Sequence, residues 1–267
     1  MVTALSTMAS LGELYLQFES PRSCPDLASR RPPPLIRFAL PALTYFDFKG
    51  VCEYLEDIVS HIDAPRLDEL TITFFNDIVF DSLQFMQFIN RMPMIKTLKT
   101  ASVSFWNGTA EIDLSTRRSG SQRLGVDILC YESDWQVASI EQVCTLCLPS
   151  SSILEDLYIS ESLHRRSDSQ GNIENTQWLE LLHPFTAAKN LYLSEEIARC
   201  IVPALQELVG SRTTEVLPTL QNVFLEGLEP SGPVKEGIRQ FASNRRFIGY
   251  PITVSLRDGT FIRTIGK

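Results

Sequence analysis

The sequence predicts an α/β fold in which short parallel strands stack side by side and helices return the chain between them. Two patterns carry this prediction. An apolar residue, two others, a second apolar residue, one other and a third apolar residue recur along the chain. Between these copies, apolar side chains fall at the spacing of one helical face. A strand of this kind buries its apolar face only when it stacks on neighbouring copies.

Six copies of the strand pattern are clear. They are Leu11–Leu14–Leu16, Leu43–Phe46–Phe48, Leu67–Leu70–Ile72, Leu154–Leu157–Ile159, Ala188–Leu191–Leu193 and Leu220–Val223–Leu225. Two further copies are weaker: Ile95–Leu98–Thr100, and the strict alternation of Leu124, Val126, Ile128 and Cys130. Successive copies start 24 to 34 residues apart. We therefore expect residues 1–267 to form a single leucine-rich-repeat-like solenoid domain of about eight irregular repeats.

The segments between the strands are predicted to be helices. Their apolar stripes are Val51, Leu55, Ile58, Val59 and Ile62; Leu83, Met86 and Ile89; Val137, Ile140, Val143, Cys144 and Cys147; Trp178, Leu181 and Leu182; Ile197, Ile201, Leu205 and Leu208; and Val234, Ile238 and Phe241. Asn175 and Ser194 are predicted N-caps. Pro203 is expected to kink or split its helix, because proline removes one backbone donor.

The repeats differ from ordinary leucine-rich repeats at the turn after the strand. Regular repeats carry Asn or Cys there. Gly50, Asn76 and Gly227 come near that position in this chain, so no asparagine ladder is expected.

Three segments interrupt the pattern and are expected as loop insertions, near residues 20–38, 106–123 and 161–175. The first contains three consecutive prolines, and the third is strongly polar. The second contains the turn dipeptide Asn107-Gly108 and the alternating Ile112 and Leu114, which predict a polar hairpin or an insertion. These residue types favour turns and extended surface segments over packed elements.

Expectations for the outermost strands follow from the same stacking argument. Leu11, Leu14, Leu16 and Phe18 are expected to form an exposed apolar edge, since a stacked core needs a polar cap at each end. Near the other end, Ile252–Val254 and Phe261–Ile262 flank a turn dipeptide and predict a hairpin.

Composition excludes several functional classes. The chain is 44% apolar and 21% charged, as in globular proteins. Its net charge of −8 disfavours a nucleic-acid partner, because affinity for phosphate comes from Lys and Arg. The sequence has no uncharged apolar run of about 18 residues, so no membrane partner is expected. The start of the chain does not read as a secretory signal, and the 6 cysteines are scattered, which favours an intracellular location, cytoplasmic or nuclear.

No catalytic, cofactor-binding or metal site is predicted. Cys144 and Cys147 have redox-motif spacing, but they lie on an apolar helical stripe, which favours a place in the core. His61, His164 and His183 could act as bases, yet none belongs to a nucleophile motif, and no glycine-rich phosphate loop occurs.

Clustered acids are interpreted in the same non-catalytic way. Glu195-Glu196 and the set of Glu53, Glu56 and Asp57 are expected as helix N-terminal charge and solvated faces. The chain is therefore expected not to be an enzyme.

Longer strings carry a family resemblance. They are residues 40–50 (LPALTYFDFKG), 53–57 (EYLED), 62–67 (IDAPRL), 175–185 (NTQWLELLHPF), 189–194 (KNLYLS) and 217–222 (LPTLQN). In these strings the chain resembles a large group of fungal F-box-associated proteins, over nearly its whole length. The resemblance implies a leucine-rich-repeat-like region that captures a substrate for a cullin-type ubiquitin ligase.

Members of that group usually begin with an F-box, the helical module that docks the ligase adaptor. Here a repeat strand starts almost at once, at Leu11, so the F-box is expected to be missing and the adaptor is not expected to bind. We therefore expect a non-catalytic scaffold for a protein partner that the sequence does not identify. Two alternatives stay open: an unrecognised hydrolase-type enzyme, and a truncated fragment without a selected function.

Overall fold

The computed structural model describes residues 7–18, 37–75, 83–116, 122–130, 132–147, 153–161, 173–227, 232–258 and 261–265. The strands within them are β1 (Glu13–Gln17), β2 (Phe38–Ala39), β3 (Tyr45–Gly50), β4 (Ile62–Asp63), β5 (Glu69–Phe75), β6 (Thr100–Trp106), β7 (Thr109–Ser115), β8 (Arg123–Leu129), β9 (Asp156–Glu161), β10 (Asn190–Leu193), β11 (Asn222–Glu226), β12 (Thr253–Asp258) and β13 (Phe261–Ile265). The helices are α1 (Cys52–His61), α2 (Leu83–Arg91), α3 (Ser133–Gln142), α4 (Asn175–Leu182), α5 (Glu195–Gln206) and α6 (Pro233–Phe247).

Eleven of these strands form one mostly parallel sheet in the order β1-β3-β5-β8-β7-β6-β9-β10-β11-β12-β13. The strands β7 and β13 run antiparallel to their neighbours, and the remaining pairs are parallel. The short strands β2 and β4 pair separately. The expected α/β class with parallel strands and helical connections is confirmed.

Alternating side chains of the sheet form continuous buried rows. One row crosses ten strands in register and consists of Leu14, Phe46, Leu70, Leu124, Leu114, Ala101, Leu157, Leu191, Val223 and Val254. All ten are buried. The predicted alignment of the clear copies along one shared interior is confirmed, because the period of two in each strand keeps the row on one face.

The helices cover the buried rows from one side. Helix α1 packs on α2, and α3 to α6 pack on one another in chain order. Most of the predicted stripes are buried, but that of α2 is wrong in phase. Phe85, Phe88 and Ile89 are buried there, whereas Leu83 is 51% exposed. The larger side chains of Phe85 and Phe88 bury more apolar surface than the predicted Leu83 and Met86 would bury in their place.

The segment near residues 106–123, expected as a polar hairpin or a loop insertion, forms a hairpin with β6, but its strand β7 lies inside the sheet and not in an insertion. Strand β7 pairs with β6 and β8, and its Ala110, Ile112 and Leu114 are buried. The meander from β6 to β8 separates β5 from β9, so the stacking order is not the chain order. The predicted turn at Asn107-Gly108 is confirmed, with Gly108 at φ 83°.

The weak copy assigned to Ile95–Leu98–Thr100 is displaced by three residues. Pro93–Thr97 forms a 3-10 turn in which Ile95 is buried. The repeat pattern is carried by Leu98, Ala101 and Val103, which enter the shared core.

The other two predicted insertions fall mostly outside the described residues. Of the segment 20–38, residues 19–36 are outside, and Phe38 begins β2. Of the segment 161–175, residues 162–172 are outside, and Asn175 is the first residue of α4. The N-cap is Glu174, not Asn175, because the Gln177 side chain accepts a hydrogen bond from the Glu174 amide at 3.1 Å.

Pro203 does not break its helix. Helix α5 runs through it from Glu195 to Gln206, and Ser194 is the N-cap, as predicted. Pro203 and Arg199 are both exposed. The missing donor to the Arg199 carbonyl thus falls on the exposed side of the helix, where water can replace the lost bond.

The prediction for the outermost strands is confirmed at one edge of the sheet and only in part at the other. The predicted hairpin is confirmed, since β12 and β13 pair antiparallel. The predicted exposed apolar edge is only partly present. Leu14 is 8% exposed, and Leu16 and Phe18 pack partly against the core.

Candidate interaction surface

One face of the sheet carries the residues that alternate with the buried rows, and we call it the open face. Its side chains are mostly polar or aromatic and half-buried. Tyr15 and Trp106 leave 56% and 48% of their surface exposed. Since the helices pack against the opposite face, the open face is the broad sheet surface that a binding partner can reach.

An aromatic strip lies on the open face of β9, β10 and β11. Tyr158, Tyr192 and Phe224 occupy the same register position on these strands. The ring centroids of Tyr158 and Tyr192 are 4.1 Å apart, and those of Tyr192 and Phe224 are 4.5 Å apart. The rings are nearly parallel, with interplanar angles of 7° and 10°. Their spacing is close to the separation of adjacent strands, about 4.8 Å, so the three rings form one continuous stack.

A ladder of side-chain hydrogen bonds borders the aromatic strip. Asn190 Nδ2 donates to Asp156 Oδ1 at 2.7 Å, and Asn222 Nδ2 donates to Asn190 Oδ1 at 2.7 Å. No asparagine ladder was expected at the turn after the strand. This ladder lies instead at the start of the strands, where none was predicted from the sequence. The sequence signal is the recurrence of Asp or Asn two residues before each ring of the strip.

A carboxylate cluster surrounds one arginine on β7 and β8. Arg123 Nε donates to Asp113 Oδ2 at 2.7 Å, and Arg123 Nη2 donates to Glu111 Oε1 at 3.2 Å. Asp127 lies directly opposite Glu111 in the pairing of these strands. The Thr73 hydroxyl donates to Asp127 Oδ2 at 3.4 Å. Like charges facing each other across two strands repel.

The cluster shifts the titration of its members. Burial raises the pKa of Glu111, and the carboxylates of Asp127 and Asp113 raise it further. Burial also raises the pKa of Asp127, and its bond from Thr73 offsets only part of this effect. For Arg123, burial opposes the charged form, but Asp113 and Glu111 outweigh it and raise its pKa.

One predicted base lies next to a hydroxyl, in the last turn of α1. His61 Nδ1 is 2.9 Å from Ser60 Oγ and 2.6 Å from the Asp57 carbonyl oxygen. A carbonyl only accepts, so Nδ1 carries the proton and does not take one from Ser60. The Ser60 hydroxyl itself donates to the Asp57 carbonyl at 2.8 Å. This is a helix-end arrangement and not an activated nucleophile.

The other residues considered for chemistry are dispersed. Cys144 is buried, as the core interpretation predicts, and the side chain of Cys147 lies outside the description. His183 is the C-cap of α4, and His164 lies outside the described residues. Across the described ranges, no group of three or more His, Cys, Asp or Glu residues is arranged to hold a metal ion.

The clustered acids have two different roles. Glu195 and Glu196 lie in the first turn of α5, as expected. Glu56 is not on a solvated face: it is 6% exposed and accepts hydrogen bonds from the backbone amides of Gln84 and Phe85 at 3.0 and 2.7 Å. Its carboxylate therefore caps the N-terminus of the neighbouring helix α2.

Comparisons with known proteins are sparse. No protein-family model matches the sequence, and no curated protein matches it. A solved structure with similarity is the crystal structure of the leucine-rich repeat-containing protein LegL7 from Legionella pneumophila. It is 12% identical, with 84% of this chain and 77% of that chain covered and a TM-score of 0.25. A similarity at that level carries no argument about function.

In the ranges that the structure describes, no helix is both long enough and apolar enough to cross a membrane.

Proposed function

We propose that this chain is a non-catalytic protein-interaction scaffold that receives a protein partner on its open face. The continuity of that face carries the proposal. Ten strands from β1 to β12 keep one register, so the carboxylate cluster, the amide ladder and the aromatic strip share one surface. Surfaces with ordered aromatic side chains bind proteins well, because little side-chain entropy is lost on association.

A second, more specific proposal concerns the fold family of the chain and its role in the cell. We propose a leucine-rich-repeat-like solenoid that acts as the substrate-recognition region of an F-box protein of a cullin-type ubiquitin ligase. The strings shared with fungal F-box-associated proteins support it, as do the in-register strand and helix units.

Affinity capture with two matched variants tests the scaffold proposal. Tyr158→Ser/Tyr192→Ser alters the open face, and Phe247→Ser/Tyr250→Ser removes two exposed aromatic side chains at the end of α6. We expect a defined set of proteins to be lost from the first variant and retained by the second. Circular dichroism checks that both are folded. Identical captured sets from the two variants contradict the proposal.

The ligase role has its own test. A fusion of an F-box to this chain should bind the adaptor and direct ubiquitylation of the captured partner. An adaptor-bound fusion that leaves the partner unmodified contradicts the ligase role and leaves the scaffold proposal intact.

A further inference from the structure

A row of apolar side chains borders the carboxylate cluster on the open face. Phe75, Leu129 and Trp106 lie in one register row at the ends of β5, β8 and β6, with Thr109 of β7 between them. Trp106 is 48% exposed, and Glu111 lies in the adjacent row on the paired strand β7. An exposed indole and a carboxylate are thus diagonal neighbours on the open face.

The open face of β3, β5, β8 and β7 is strongly acidic. In these four strands it carries five carboxylates and two cations, which are Asp47, Glu69, Glu111, Asp113, Asp127, Lys49 and Arg123. Arg123 is already engaged by Asp113 and Glu111. The excess negative charge lies in three adjacent rows and is not balanced within these strands.

Aromatic rings beside carboxylates suit the long cationic side chains. A guanidinium or ammonium group gains from both the ring face and the carboxylate, and its methylene stem covers apolar surface. The face already contains one such contact, since Lys49 Nζ lies 5.7 Å from the centroid of the Phe75 ring.

We propose that the partner bound by the open face presents a Lys- and Arg-rich polypeptide segment, which lies across β5, β8, β7 and β6. Its cationic side chains contact Asp127 and Glu111, and their stems pack against Trp106 and Phe75. This inference rests on the proposed scaffold function and names the chemistry of the partner. Charge complementarity carries the assignment, because attraction between opposite fields guides association and selects the partner.

Fluorescence anisotropy tests this inference. The probe is a short fluorescein-labelled peptide in which Arg alternates with Ser, and its negative counterpart alternates Glu with Ser. We expect Glu111→Gln/Asp127→Asn to weaken binding of the Arg peptide about tenfold, because two contacted carboxylates are lost. The control Glu215→Gln/Glu236→Gln removes the same charge from exposed side chains elsewhere and should change affinity less than about twofold.

The other outcomes of this experiment each contradict the inference. Equal losses in the two variants overturn the inference, since the probe then senses only the total negative charge. Full competition by spermine at equal charge concentration also overturns it, because the face then binds any small polycation. A third result separates the two proposals. If a partner is captured through Tyr158 and Tyr192 but binding of the Arg peptide does not depend on the carboxylates, the scaffold function is retained. Only the inference that the partner presents a basic segment is then rejected.

Discussion

At the scale of single residues, Arg245 binds a stretch of backbone whose conformation no sequence pattern predicts. It lies fully buried in α6. Its guanidinium donates to carbonyl oxygens at 3.0 to 3.5 Å, and the acceptors are Thr213, Leu217, Pro218, Leu220 and Tyr250. Most of these belong to the connection from α5 to β11, where Leu217 has φ 51°. One planar group with five donors can satisfy a whole turn.

Replacement of this side chain should cost stability. Arg245→Met is expected to lower the free energy of unfolding by about 3 kcal/mol or more, because several buried carbonyls lose their donor. The neighbouring exposed substitution Arg246→Met should change it by less than about 0.5 kcal/mol. Denaturant unfolding measures both, and equal effects would contradict the role assigned to Arg245.

The carboxylate cluster predicts a pH dependence. The pKa of Asp127 is higher in the folded state than in the unfolded chain. Protonated Asp127 therefore favours the folded state at low pH, and this contribution to the free energy of unfolding is lost as pH rises through the folded-state pKa. Asp127→Asn should therefore raise the melting temperature at neutral pH. This gain should shrink as pH falls toward the ordinary carboxyl range near about 4. A destabilisation of equal size at both pH values would contradict the account.

At the scale of elements, one helix caps another. Glu56 of α1 accepts from two amides at the start of α2. Glu56→Ala should lower the free energy of unfolding by about 1–2 kcal/mol, as losses of helix caps do. Asp57→Ala, at the adjacent exposed position, should have less than about 0.5 kcal/mol effect in the same unfolding measurement. A larger effect at Asp57 than at Glu56 would exclude the capping role.

Several elements could be predicted from local pattern alone. The buried rows and most helices follow from periods of two and 3.6, which depend only on neighbouring residues. Strand β7 could not be predicted in the same way, because its alternating acids and its turn dipeptide also suit a surface hairpin. The amide ladder and most contacts of Arg245 join residues more than twenty positions apart, and no local period encodes such pairs.

At the scale of the whole molecule, the strand order decides which side chains share the open face. The sequence predicts stacking in chain order, whereas β6 is the neighbour of β9 and β8 is the neighbour of β5. This order places the carboxylate cluster between the tyrosines of the first strands and the aromatic strip. It is the reason why groups far apart in sequence form one surface.

An engineered disulfide tests this order. Ser104 Oγ and Ser160 Oγ are 3.2 Å apart across β6 and β9. Ser104→Cys/Ser160→Cys should form a disulfide under mild oxidation, and peptide mapping by mass spectrometry identifies it. Ser102→Cys/Ser160→Cys is the control, since a diagonal pair about 7–8 Å apart is too distant to bridge easily. Bridging in the control alone would contradict the register.

A protein partner of this scaffold is expected to bind the sheet and not the helices. Photo-crosslinking is the most direct measurement, with a benzophenone amino acid in place of Tyr192 on the open face or of the exposed Phe247 at the end of α6. We expect a crosslink to the captured partner from position 192 and none from position 247. A crosslink from position 247 alone would place the partner away from the open face and would rule out binding to the sheet.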